Sequence, residues 1–289
     1  MNISQTHLLK ISYTLNKMSS NRFEDLPNST EIEGGSMEEG KVMDLYFKEV
    51  SQILQRIHDE EKERILKAAE VIAKQVAQDR LVYIFGPGGH SNLAAMEIFF
   101  RAGGLMHVNA ILDQETMLSH GALKSMQVER LPGYGKIIIN DYEIGKDDLL
   151  IVVNAYGINS ATIDAALTAK ENGATTIGIC SFEHARNTHE NHIARHPYNK
   201  NLMDIVDYAV DCKIQVGDAV IKLDNFEQKI GALSTFANAY VLNSIVVEAI
   251  NMLVNDNIKP PVWMSGNATG GDEWNQKFMD RFRGRIKML

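Results

Sequence analysis

Short runs of apolar residues alternate with segments of helical periodicity through most of this 289-residue chain. Five of these runs have the length and the β-branched content of buried strands. They lie at residues 81–85, 105–112, 149–154, 175–181 and 206–212. Strands that alternate with helices predict a parallel sheet with right-handed crossovers. The pattern therefore predicts an α/β fold, a five-stranded parallel sheet flanked by helices in the flavodoxin-like order.

The segments on either side of the predicted sheet are polar or helical. Residues 1–42 are polar and contain Pro27, Gly34 and Gly35, so we expect a mobile tail. Two apolar faces after residue 43 predict an N-terminal helical hairpin, and the apolar run at 234–254 predicts a long buried C-terminal helix. We therefore expect a single domain at 43–289 with the hairpin at its start and a C-terminal extension.

A glycine-rich turn follows the first predicted strand. Gly86, Gly88 and Gly89 precede His90 and Ser91, and a helical pattern follows. Such a turn directs backbone N–H groups and the positive end of a helix to one place, which is how many proteins hold a phosphate. We interpret the turn as an anion-binding loop. A tight strand-to-helix turn without a ligand is the alternative.

The loop only partly matches the dinucleotide fingerprint, which has three spaced glycines. Gly86 and Gly88 fit, but Ser91 stands at the third position. Asp113 closes the next predicted strand, where a ribose-binding carboxylate would lie, so a nicotinamide or flavin enzyme remains an alternative. The loop lacks the Gly-Lys-Ser/Thr sequence of a Walker motif.

A second polar loop follows the third predicted strand. It contains Asn154, Gly157, Asn159 and Ser160, whose side chains can cap a helix or contact a phosphate. In the flavodoxin-like order, strand order reverses between the first and third strands, and ligands bind at that point. The two loops are therefore expected to form one binding site.

Composition narrows the class of partner. The chain has 37 acidic and 29 basic residues, a net charge of −8, which argues against a nucleic acid or an anionic membrane as partner. Cys180 and Cys212 lie in predicted strands, as expected for buried thiols in a reducing compartment. We find no secretion signal, and no apolar stretch long and charge-free enough to span a bilayer, so a cytoplasmic protein is expected.

These features resemble the sugar isomerase (SIS) domain family, in particular its uncharacterised phosphosugar-binding branch. The resemblance covers about residues 43–276 and rests on several short stretches. They are GHS at 89–91, FRAGGL at 100–105, GALKS at 121–125, ER at 129–130, GY at 133–134, EH at 183–184, RHP at 195–197, VGDA at 216–219, GALST at 231–235 and GGDE at 270–273. The second loop departs from the family pattern, because Tyr156 stands where a serine is usual, and the first loop is one residue longer than in many relatives.

The resemblance implies that the chain binds a phosphorylated sugar and interconverts aldose and ketose forms through an enediolate. Such a reaction needs a base with a tuned pKa and donors to the developing oxyanion, but no redox cofactor or metal. We expect His184 and Glu129 to be the acid/base pair. The expected phosphate- or sugar-binding residues are Gly88, Gly89, His90, Ser91, Asn154, Tyr156, Gly157, Asn159, Ser160, Ser234 and Thr235.

Three alternatives stay open. The domain could be a non-catalytic phosphosugar sensor, or a lyase or etherase acting on a phosphorylated amino sugar. His189, His192 and His196 would share one helical face and suggest zinc, but their polar surroundings favour a solvated loop. Because active sites in the family often include residues of a second subunit, the resemblance also implies a homodimer or higher homo-oligomer with shared active sites.

Overall fold

The computed structural model describes residues 40–289. The predicted tail at 1–42 lies outside this range except for its last three residues, where a helix already begins. The N-terminal hairpin consists of α1 (Lys41–Glu60) and α2 (Lys62–Ala77). Both helices are amphipathic, and their apolar faces, which include Ile57 and Ile72, are buried in the main hydrophobic core.

The five predicted strands form one parallel sheet. They are β1 (Val82–Phe85), β2 (Val108–Ile111), β3 (Leu149–Val153), β4 (Thr175–Cys180) and β5 (Tyr208–Asp211). Their order is β2-β1-β3-β4-β5, and every neighbouring pair is parallel. The predicted fold class is therefore confirmed, although several strands are shorter than the apolar runs that predicted them.

The remaining helices cover the two faces and the edges of the sheet. They are α3 (Ser91–Glu97), α4 (Ala122–Glu129), α5 (Tyr134–Asp141), α6 (Ser160–Glu171), α7 (Phe182–Asn187), α8 (Leu202–Ile205), α9 (Ser234–Asn255) and α10 (Gly271–Phe282). Two short 3-10 turns, Gln114–Thr116 and Leu118–His120, lead into α4. An antiparallel pair, β6 (Ala219–Ile221) and β7 (Ile230–Ala232), was not predicted and precedes α9.

The helix predicted at 92–102 is wrong at its C-terminal end, because α3 stops at Glu97. Phe100 adopts a left-handed φ of 48°, and its ring lies 4.5 Å from that of Trp263. The backbone beyond it pairs with the C-terminal segment, since the Gly103 N–H donates to the Trp263 carbonyl at 2.8 Å. This distant pairing overrides the local helical periodicity.

The predicted long C-terminal helix is present as α9, with Val241, Leu242 and Ile245 fully buried in the core. By length and composition alone it could cross a membrane, which corrects the expectation that no stretch of the chain could. Its apolar composition is explained by packing, because it lies against α2 and the adjacent face of the sheet.

Gly135 provides a test of how closely α5 and α6 approach. A Cβ at Gly135 would lie 2.2 Å from the Ala161 carbonyl oxygen, so Gly135→Ala is expected to lower the free energy of unfolding by about 1–3 kcal/mol. At Gly145 the nearest atom to an added Cβ is 3.4 Å away. Gly145→Ala is therefore expected to change the free energy of unfolding by less than about 0.5 kcal/mol. Urea denaturation measures both, and an equal loss in the two variants would contradict the close approach.

Candidate active site

The loops that follow β1 and β3 lie side by side at the carboxyl edge of the sheet, joined by the side chain of Asn154. Its Nδ2 donates to the Pro87 carbonyl at 3.2 Å and to Ser91 Oγ at 3.3 Å. Its Oδ1 accepts the N–H groups of Tyr156 at 3.1 Å and Gly157 at 2.9 Å. Asn154 therefore holds the two loops together, while the Ser91 hydroxyl keeps its own proton to donate.

A cavity of about 140 Å³ opens between these loops and the first turns of α9. It is lined by Gly88, Gly89, His90, Ser91, Glu129, Asn154, Ala155, Tyr156, Asn159, Asp218, Ser234 and Asn238. Most of the site residues expected from the sequence are thus brought together at one place. The cavity has the position at which open parallel sheets bind ligands.

Four of the expected residues do not line this cavity. Gly157 and Ser160 are buried in the second loop behind it, and Thr235 is exposed on α9. His184 meets the cavity wall through Tyr156, since the two rings are stacked with their centroids 4.0 Å apart. The predicted acid/base pair is therefore divided, with Glu129 in the wall and His184 behind it.

Glu129 lies at the C-terminal end of α4, with its carboxyl group against the first loop. A Cβ at Gly88, where φ is 75°, would lie 1.6 Å from Glu129 Oε2. Burial raises the pKa of the Glu129 carboxyl to about 7, although the Arg130 charge and a hydrogen bond with Asn159 act in the opposite direction. A carboxyl group whose pKa lies near neutral pH can both take up and release a proton.

The stacked rings of Tyr156 and His184 supply two further polar groups. Burial raises the pKa of the Tyr156 hydroxyl, assisted by the nearby charges of Asp218 and Glu129, so it stays protonated and can donate. Burial lowers the pKa of His184, which keeps its imidazole neutral at pH 7. The backbone N–H of His184 donates to Ser181 Oγ at 3.0 Å, which fixes the start of α7.

Sequence reasoning missed Asp218 and Asn238. Asp218 precedes β6, and its carboxylate accepts the N–H groups of Leu233 and Ser234, both at 2.9 Å, and the Ser234 hydroxyl at 2.7 Å. Asn238 lies one helical turn beyond Ser234 on the same face of α9. That spacing, and the VGDA stretch at 216–219, were signals that could have found them.

A second cavity of about 310 Å³ adjoins the first at Asp218. Its lining comprises Glu49, Gln52, Ile53, Arg56, Glu183, Lys213, Ile214, Gln215, Asp218 and Leu233. The Lys213 ammonium is already paired with Glu61 at 2.6 Å and Glu60 at 3.1 Å, and Arg56 is paired with Glu60 at 3.2 Å. This second space is therefore polar, with both its cations already neutralised.

The histidine run considered as a zinc site has other partners. His196 Nε2 lies 3.0 Å from Asp164 Oδ1, while the Nδ1 atoms of His189 and His192 accept backbone N–H groups. Within residues 40–289, no group of three or more His, Cys, Asp or Glu side chains is arranged to hold a metal ion. The described part of the chain offers no built metal site.

The family model of the SIS domain matches residues 45–181. The chain belongs to the UPF0309 family. It is 37% identical over 251 residues to a UPF0309 protein of Caldanaerobacter subterraneus subsp. tengcongensis, covering 86% of this chain and 100% of that protein. It is also 38% identical over 248 residues to a UPF0309 protein of Thermoanaerobacter pseudethanolicus, covering 84% of this chain and 98% of that protein. The resemblance stated from the sequence is confirmed.

Solved structures with a similar course of the chain include a phosphoheptose isomerase from Francisella tularensis and the Vibrio vulnificus NanR protein complexed with ManNAc-6P. The first has a TM-score of 0.48 at 13% identity and covers 74% of this chain and 100% of its own. The second has a TM-score of 0.43 at 13% identity, and the match covers 86% of this chain and 71% of the NanR chain. Similarity at this level carries no conclusion about function.

The raised pKa of Glu129 makes stability depend on pH. The folded protein holds this proton more tightly than the unfolded chain, so stability falls as the pH rises from about 4.5 to about 7. Glu129→Gln, which cannot ionise, is expected to be more stable than the wild type by about 1–3 kcal/mol at pH 8, with a smaller advantage at pH 5.

Urea denaturation at the two pH values measures this difference. Glu171→Gln is the matched control, because Glu171 is exposed at the end of α6 and the same chemical change there removes no buried charge. A difference between Glu129→Gln and wild type that is equal at pH 5 and pH 8 would contradict the raised pKa.

Proposed function

We propose that this protein binds a phosphorylated sugar and interconverts its aldose and ketose forms through an enediolate. The observation that carries the proposal is the Glu129 carboxyl group, with a pKa of about 7, in the wall of a cavity formed by two phosphate-type loops. Membership of an SIS domain family supports the coarser part, the binding of a phosphosugar. The raised pKa supports proton-transfer chemistry.

In this mechanism the first loop holds the phosphate, through backbone groups at Gly88 and Gly89 and the Ser91 hydroxyl. Glu129 removes the proton from the carbon next to the carbonyl of the open-chain sugar. The electron pair of that C–H bond forms the carbon–carbon double bond of the enediolate, and negative charge develops on the former carbonyl oxygen. Glu129 then returns this proton to the former carbonyl carbon. The proton of the neighbouring hydroxyl group passes to the former carbonyl oxygen, and the carbon that carried that hydroxyl becomes the new carbonyl.

The developing oxyanion needs a donor, and Tyr156 is suited to that role. Its hydroxyl is protonated at neutral pH, as a tyrosine ordinarily is, and burial raises its pKa further. Tyr156 also lines the same cavity as Glu129. His184 stacks on the Tyr156 ring. In this proposal His184 acts as a positioning residue that holds Tyr156, while Glu129 and Tyr156 contact the substrate.

The first test is a thermal-shift screen with phosphosugars, their unphosphorylated counterparts and nicotinamide cofactors, followed by proton NMR in deuterated water. A stabilising phosphosugar whose C1 or C2 proton exchanges with solvent would support the isomerase. Stabilisation without exchange would favour the phosphosugar sensor, and elimination from a phosphorylated amino sugar would favour the lyase or etherase. Stabilisation by nicotinamide cofactors alone would contradict the proposal.

Three substitutions separate binding from chemistry. Ser91→Ala removes a donor to the phosphate and is expected to raise KM about tenfold with little change in kcat. Glu129→Gln keeps the shape of the side chain but removes the base, so kcat is expected to fall at least about 100-fold. His184→Ala is expected to lower kcat through the loss of the Tyr156 stack. Steady-state kinetics measure all three, with Glu171→Gln as control, and wild-type kinetics in Glu129→Gln would refute the assignment.

We also propose that the protein works as a homo-oligomer with α4 near the interface. Leu123 on α4 is 74% exposed, and Leu131 just beyond it is 54% exposed, close in sequence to Glu129. Burial of such side chains is a common driving force of association. A partner at this surface would lie beside the candidate site.

Sedimentation velocity tests the assembly. We expect a dimer or a larger species for the wild type and a smaller species for the double variant Leu123→Glu, Leu131→Glu, because buried carboxylates oppose the contact. Ile193→Glu is the control, since Ile193 is 80% exposed on a different loop. A monomeric wild type, or the same assembly in the double variant, would contradict this part of the proposal.

A further inference from the structure

Asn238 has a buried amide oxygen without a hydrogen-bond partner among the described residues. The residue is 2% exposed and lines the 140 Å³ cavity. Its Oδ1 atom has no hydrogen-bond partner within residues 40–289. Its neighbours on the buried side of α9, Ala237 and Val241, are completely buried and apolar.

An unpaired buried amide oxygen is costly, because it gives up hydrogen bonds with water on folding and gains none in return. An apolar side chain would serve the packing of α9 better, as Val241, Leu242 and Ile245 do further along the helix. A ligand that enters the cavity and donates a hydrogen bond to Asn238 Oδ1 would satisfy this group.

The two sides of the cavity differ in polarity. The side formed by the first loop offers the Ser91 hydroxyl as a donor beside Gly88 and Gly89, with the Glu129 carboxyl group against Gly88. The side formed by α9 offers acceptors, because Asn238 Oδ1 is unpaired and Asp218 presents a carboxylate fixed by three hydrogen bonds. A phosphate group presents acceptors to the first side, and the hydroxyl groups of a polyol present donors to the second.

We propose that Asn238 determines specificity by accepting a hydrogen bond from a hydroxyl group of the sugar moiety. The inference rests on the proposed function and adds the orientation of the bound sugar phosphate. Its phosphate lies at the first loop and its carbon chain extends toward α9. A phosphate ion satisfies only the first loop. A hexose phosphate satisfies both sides, so Asn238 separates sugar phosphates from inorganic phosphate.

The test compares the alanine variants of two asparagines on the same helix. Asn238→Ala removes the cavity amide, whereas Asn243→Ala removes an amide that donates to Glu97 and to the Ala239 carbonyl, both at 3.0 Å, outside the cavity. Isothermal titration gives the Kd of each protein for inorganic phosphate and for fructose 6-phosphate, glucose 6-phosphate and glucosamine 6-phosphate. The comparison uses the sugar phosphate that the wild type binds most tightly.

In Asn238→Ala we expect the Kd for that sugar phosphate to rise about tenfold, while the Kd for inorganic phosphate stays within twofold. Asn243→Ala should keep the wild-type ratio of the two constants. The melting temperature of ligand-free Asn238→Ala should not fall, because an unsatisfied buried group has been removed.

Two results would overturn the inference while leaving the proposed function in place. One is an unchanged Kd for the sugar phosphate in Asn238→Ala, and the other is an equal loss of affinity for sugar phosphate and inorganic phosphate. A lower melting temperature with unchanged selectivity would show that Asn238 serves only the fold. A wild-type protein that binds none of the three sugar phosphates would contradict both the inference and the isomerase proposal for hexose 6-phosphates.

Discussion

The contact between the Glu129 carboxyl group and the backbone of Gly88 is the constraint on which the candidate site depends. No side chain can be placed at position 88 without striking this carboxyl group, and the left-handed φ of 75° there also favours glycine. Burial of the carboxyl group at this position raises its pKa to about 7. The shape of the first loop and the acidity of Glu129 are therefore set at one place in the structure.

A carboxyl group held out of water costs stability, so the surrounding structure must hold it in place. The backbone just after α4 is tied to α6, because the Gly133 N–H donates to Asp164 Oδ2 at 2.6 Å. The start of α4 is tied to α3, since Ser125 Oγ and Asn92 Nδ2 both donate to the Thr116 carbonyl, at 2.7 and 2.8 Å. Fixed at both ends, α4 cannot withdraw Glu129 without breaking bonds to two other helices.

The sequence was sufficient to predict the sheet and its two loops, because both depend on local signals. Apolar runs mark buried strands whatever lies around them, and Gly88 and Gly157 mark the turns that follow. Contacts between distant segments left no such signal. The stack of Tyr156 on His184 joins the second loop to α7, and Asp218 reaches the cavity just before a short antiparallel pair that apolar periodicity does not reveal. Sequence reasoning therefore predicted most of the residues that line the cavity, but not Asp218 and Asn238.

The acidic character of the chain is compatible with the proposed binding of a phosphate because the cavity offers neutral donors. Its lining, within the described residues, contains neither lysine nor arginine. Of its two carboxyl groups, Glu129 lies against Gly88 and Asp218 is bonded to Ser234 at the start of α9. Backbone N–H groups and hydroxyls attract an anion less strongly than a buried guanidinium does. A phosphate bound in this way contributes limited affinity, so discrimination between ligands must come from the groups that contact the rest of the molecule. In the proposed orientation of the ligand, polar side chains on α9 make those contacts.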